Sequence, residues 1–323
     1  MQSGRVLTER LTTFLKGTNE CKNAILSFVK DNLYKGSRSV ALCFRGEYAC
    51  LYYRCHKLLE IREKKGLFVG LFNFRHARFT EKYLYWQDKL SALGVCGFSE
   101  KKYLGKEYLV WFSLNGKMGI ESQTVIKILR VYCDLIDDFV DKDKIRYCFD
   151  VPSSSLKNGG CKINKSKNIE KDRQQAIYAR HFFTDSDMLI YDLEYTEPCA
   201  MEKGVAGRID LLGLKKVDTG WKLQLIEVKS TKSACLNESG VVAHVRDYRA
   251  YLAQSALIEE RKREAVQSLE LLAELFGFYP PLKGEEIVGA EIRFIFTDEA
   301  TAYEDGWKYC EKEGILFDRE EVW

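Results

Sequence analysis

The chain has 323 residues, about two domains' worth at roughly 150 each, and its 50 Lys and Arg against 47 Asp and Glu leave a formal charge of +3. With 46% hydrophobic residues, 30% charged residues and four prolines, the composition excludes extended disorder, collagen repeats and coiled-coil arrays. No apolar run of about 18 residues is present to cross a bilayer, and the N-terminus lacks the apolar core of a signal peptide, so a cytoplasmic protein with no membrane partner is expected.

The first elements are two short helices between Arg5 and Leu33, broken near Gly17 to Asn19, because Leu7, Leu11, Phe14 and Leu15, then Ala24, Ile25, Phe28 and Val29, recur at helical spacing. Short β-rich segments follow at Val40 to Phe44, Ala49 to Tyr53, Leu58 to Ile61 and Leu67 to Phe72, with turns at Arg45-Gly46-Glu47 and Lys64-Lys65-Gly66, so an antiparallel meander is expected. A further strand is expected at Tyr108 to Phe112 and a helix from about Gln123 to Asp141. Residues 152–168 are rich in Ser, Gly, Asn and Lys, which reads as a basic, flexible linker between a module over 1–151 and a domain over 169–323. The second domain reads as a helix from Ile169 to Phe183, then strands at Met188 to Tyr195, Gly207 to Leu214 and Trp221 to Ser230. One long helix from about Val245 to Phe276, stopped by Gly277, and a strand from Ile287 to Thr297 complete it. The fold class is therefore α/β (α+β): an N-terminal antiparallel β-rich module with helices, then a mixed sheet flanked by helices.

The eleven cysteines are odd in number and show no close CxxC pairs, so they read as reduced, mostly buried thiols. Cys50, Cys55 and His56 fit no common zinc spacing and read as two buried thiols beside a surface histidine.

Chemistry concentrates in GRIDLLGLKKVDTGWKLQLIEVKSTK. The two strands flank Val217-Asp218-Thr219-Gly220, so a register symmetric about that turn sets Leu214 against Leu223, Leu212 against Leu225 and Asp210 against Glu227. Alternation places Glu227 and Lys229 on the face of Leu223 and Leu225, with Ile209, Leu211, Ile226 and Val228 on the other. Two carboxylates about 5 Å apart repel unless a cation lies between them, and hard carboxylate oxygens suit Mg²⁺.

Asp210 followed on the next strand by Glu227-Val228-Lys229 resembles the PD-(D/E)xK nuclease superfamily, although Ile209 stands where the motif's proline would be. The resemblance implies a restriction-endonuclease-like core. It also implies that Asp210, Glu227 and the backbone carbonyl of Val228 bind Mg²⁺, for which Mn²⁺ can substitute, and that Lys229 orients the attacking water or stabilises charge on the phosphate. A glutamate from the preceding helix often joins the metal in this superfamily, which makes Glu170 a fourth candidate, supported by Gln174 or Gln175. His244 and Gln254, on the helix after Lys229, are supporting candidates. The implied activity is Mg²⁺-dependent phosphodiester hydrolysis on DNA rather than RNA, in defence or restriction, and the homodimers common in the superfamily make a homodimer the implied assembly. Two other readings use the same residues. One is a surface patch with ion pairs Arg208 to Glu227 and Asp210 to Lys229, and the other is a non-catalytic nucleic-acid-binding or assembly protein that keeps the nuclease-like fold.

In the N-terminal half, Phe72, Phe74, Phe79, Tyr83, Tyr85 and Trp86 interleave with basic residues, so Arg75 and Arg78 are candidates for nucleic-acid contact. Lys165 and Lys167 of the basic linker are candidates for backbone phosphates. Arg45, at a hairpin tip, could reach a groove or belong to a plain turn.

Overall fold

The computed structural model describes residues 7–33, 35–73, 83–94, 109–114, 121–141, 165–182, 187–196, 207–236, 240–277 and 282–320. Arg75 and Arg78 lie outside them, as does most of the expected linker. No helix among these residues is long and apolar enough to cross a membrane.

Helix α1 (Glu9–Lys16) begins at Thr8, whose side chain accepts the Leu11 N–H, and α2 (Glu20–Asp31) begins at Asn19, which accepts the Lys22 N–H. Strands β1 (Val40–Arg45), β2 (Tyr48–Tyr53), β3 (His56–Lys64) and β4 (Leu67–Asn73) follow in the expected places. Helix α3 (Tyr83–Ser91), which the sequence reading did not resolve, precedes β5 (Leu109–Ser113), and α4 (Ser122–Asp141) covers the sheet. The five strands pair antiparallel in chain order.

Helix α5 (Lys165–His181) starts four residues before the expected Ile169, so Lys165 and Lys167 belong to its first turn rather than to the linker. Strands β6 (Met188–Thr196), β7 (Arg208–Val217) and β8 (Gly220–Lys229) form an antiparallel meander. The expected single long helix is two, α6 (Val241–Leu252) and α7 (Ser255–Phe276), broken where Gln254 leaves helical geometry. Apolar spacing runs unbroken across this joint, since Tyr248, Tyr251, Leu257 and Ile258 all enter one core cluster, so periodicity alone does not reveal it. Strand β9 (Ile287–Thr297), then α8 (Glu304–Glu313) and β10 (Leu316–Glu320), end the described chain. The second sheet has the order β10-β9-β8-β7-β6, with β8, β9 and β10 parallel to one another, so it is mixed as expected.

The halves are joined through buried polar contacts as well as a shared apolar core that runs from Leu11 to Ile295. Arg45 does not reach out from its hairpin tip. It is buried, with Nη1 2.5 Å from Asp192 Oδ2 and Nη2 donating to the Leu193 carbonyl of β6. At the β2–β3 turn, Arg54 donates to Asp137 on α4 and Asp172 on α5. The Cys55 N–H donates to Gln175 of α5 at 3.0 Å, and Gln175 donates onward to the Ser39 carbonyl at 3.0 Å. His56 is buried rather than at the surface, and Cys50 and Cys55 are buried free thiols.

Candidate active site

Strand β8 is central, so its residues are covered on both sides: Ile226 and Val228 pack toward α5, whereas Leu223 and Leu225 pack toward α6 and α7. The hairpin register is the expected one, with Leu214 opposite Leu223 and Leu212 opposite Leu225. Backbone pairing stops at Leu211 and Ile226, one step before Asp210 and Glu227. There the Asp210 side chain replaces the ladder, its Oδ2 accepting the Val228 N–H at 3.0 Å. A strand residue directs its N–H and C=O to the same side, so the Val228 carbonyl also faces the opened end of the hairpin.

Asp210, Glu227 and Lys229 are 2%, 3% and 3% exposed, so the surface-patch reading fails. Its pairings fail too. Lys229 Nζ donates to Glu227 Oε1 at 2.7 Å, and Arg208 lies 3.6 Å from Asp210 and from Glu194. From α6, Tyr248 Oη donates to Glu227 Oε2 at 2.6 Å and His244 Nε2 lies 3.1 Å from Oε1. His244 is thus brought to the site, together with Tyr248, which the sequence reading missed. The signal was available: a residue four positions after His244 lies on the same helix face. Gln254 stands at the α6–α7 joint, about 15 Å further along the helix direction than His244, and is not among these contacts.

Glu170 projects from α5 into the same electrostatic field. Burial, and then the neighbouring Glu227 and Glu194, push its carboxyl up to about 7 against the opposing pull of Lys229 and Arg208. Burial first, then Glu227 and Glu170, raises the Asp210 carboxyl well above the usual range. Glu227 goes the other way: burial would raise it, but Lys229, His244 and the hydrogen bonds from Lys229 and Tyr248 hold it low. Lys229 keeps its proton despite burial because Glu227, Asp210 and Glu170 surround it. Gln174, one turn from Glu170, is fully buried with no hydrogen-bond partner for either amide atom among the described residues. Sequence reading also missed Glu194 of β6, whose φ is +53°.

Glu170 therefore lies within electrostatic reach of Glu194, Glu227, Arg208 and Lys229, and Asp210 within reach of Glu170, Glu227, Arg208 and Lys229. The donors are hard oxygens, and Asp210 Oδ1 accepts no hydrogen bond among the described residues. Among those residues no three His, Cys, Asp or Glu side chains converge as a preformed metal cage. An open donor set still fits Mg²⁺, which keeps several waters and takes one or two carboxylates. The site lies apart from a cavity of about 740 Å³ between α2 and α4, lined in part by Phe28, Lys35, Arg38, Tyr53 and Arg130. No protein-family model, characterised protein or solved structure matches this chain.

Proposed function

We propose that this chain is a Mg²⁺-dependent nuclease of the PD-(D/E)xK type that hydrolyses phosphodiester bonds in the cytoplasm, with DNA as its substrate. The observation that carries this reading is that two carboxylates, Asp210 and Glu227, are buried together beside Lys229 at the end of a central hairpin. Burying like charges is costly unless a counter-ion joins them: without one the Asp210 carboxyl is raised well above the usual range, and a divalent cation would let Asp210 and Glu227 ionise together. Asp210, Glu227 and the Val228 carbonyl would hold the ion, with Glu170 closing the site from α5. Bound there, Mg²⁺ would supply water activation and neutralisation of charge on the phosphate. Lys229 stays protonated beside the site and is placed to stabilise the charge that develops on a phosphate oxygen. Tyr248 and His244 fix the Glu227 carboxylate in one orientation, leaving Lys229 as its third partner.

A second reading, a non-catalytic binding or assembly protein on the same fold, is favoured by those same contacts, since Glu227 gives both oxygens to protein groups. Cleavage of linear, circular and single-stranded DNA and of RNA in Mg²⁺, Mn²⁺ or EDTA separates the two. The nuclease reading expects metal-dependent cutting that Glu227→Ala and Lys229→Ala each abolish. Nucleic-acid binding that needs no metal, without cutting of any polymer, supports the second reading instead.

A further inference from the structure

Arg208 and Glu194 form a pair that the metal chemistry above does not use. Arg208 opens β7, with its side chain 53% exposed while the neighbouring Asp210 side chain is 2% exposed. Its guanidinium lies 3.6 Å from Asp210 Oδ1 and 3.6 Å from Glu194 Oε2, ion-pair distances too long for hydrogen bonds. Among the described residues none of its N–H groups donates a hydrogen bond. The buried arginines Arg45, Arg54, Arg261 and Arg293, in contrast, all donate to protein acceptors.

Glu194 is the stranger partner. Its φ of +53° is costly for a side-chain-bearing residue and falls inside a strand. Its consequence is visible in the packing: Leu193 and its partner Leu211 enter one core cluster, whereas Tyr195 and its partner Ile209 enter the other. Ile209 therefore does not share the expected face with Leu211. The kink turns the end of the β6–β7 pair and brings the Glu194 carboxylate to Arg208, while its Oε1 has no hydrogen-bond partner among the described residues.

Resting on the proposed nuclease function, we infer that Arg208 is a substrate-binding residue that takes a phosphate of the nucleic-acid backbone, and that Glu194 is a positioning residue that holds the guanidinium over the site. A planar guanidinium with free donors matches a phosphate bidentately, a geometry that lysine lacks. Loose ion pairing to two carboxylates keeps Arg208 at the mouth of the site without occupying its donors.

The test measures binding of a defined oligonucleotide in Ca²⁺, where it is held uncut, and cleavage of the same oligonucleotide in Mg²⁺, in the full chain. Arg208→Ala is expected to weaken binding by about 10- to 100-fold and to reduce the slope of log affinity against log salt by about one. Arg208→Lys should restore the slope but not the affinity. Glu194→Gln should weaken binding by a smaller factor in wild type and have no further effect in the Arg208→Ala background, a non-additivity that a merely structural role would not give. Wild type that cuts, with Arg208→Ala binding and cutting equally well, overturns this inference and leaves the nuclease reading standing. Wild type that neither binds nor cuts any polymer overturns both.

Discussion

Tyr248 shows how much one side chain contributes to the proposed site. Its hydroxyl is buried and donates to Glu227 Oε2 at 2.6 Å, so removing it leaves a charged acceptor short of one donor. Tyr248→Phe is expected to slow cutting about 10- to 100-fold with folding retained, and steady-state cleavage rates check this. Glu170 gives a pH signature. Its carboxyl is raised from 4.5 to about 7, so the folded chain binds that proton more tightly than the unfolded chain does. Without metal, stability from this group is present at low pH and is lost as pH rises through about 7, the reverse of an ordinary salt-bridged carboxylate. Melting temperatures at several pH values in EDTA should therefore fall across this window, less so in Glu170→Gln, and Mg²⁺ should flatten the fall. At this scale Asp210, Glu227 and Lys229 were legible because strand alternation and turn symmetry are local rules. Glu194 was not, since a left-handed residue inside a strand leaves no trace in an alternating pattern.

At the scale of elements, the β7–β8 hairpin sets the site, and its turn carries the constraint. Gly220 has φ +142°, and a Cβ there would run into the carbonyl oxygen of Glu286. Gly220→Ala should therefore cost about 1–3 kcal/mol, read by chemical denaturation, and should lower activity by disturbing the hairpin that aligns Asp210 with Glu227. The turn residues announced this hairpin, and the register followed. The α6–α7 joint was hidden because no glycine or proline marks it and the apolar spacing continues through it. The early start of α5 was hidden for the opposite reason: its first turn is polar and lysine-rich, so it carries no apolar period to read.

At the scale of the whole molecule, the N-terminal sheet is fastened to the second sheet close to the proposed site. Burial, and then Glu194, Asp172 and Asp210, raise the Cys55 thiol well above its ordinary value against the pull of Lys171, which locates the β2–β3 turn in the same electrostatic neighbourhood. Breaking the buried Arg45–Asp192 pair leaves an uncompensated charge, so Arg45→Ala should destabilise the whole chain by about 3–5 kcal/mol in a single denaturation transition. Residues 152–323 expressed alone should fail to fold, because they expose the core they share with β1 to β4. Contacts of this kind join residues more than a hundred positions apart, which no local pattern encodes. The measurement that tests the central claim most directly is calorimetric titration of Mn²⁺ or Mg²⁺ into the intact protein and into Asp210→Asn. The account predicts saturable binding by the wild type that Asp210→Asn abolishes; no binding, or binding unchanged in Asp210→Asn, would contradict it.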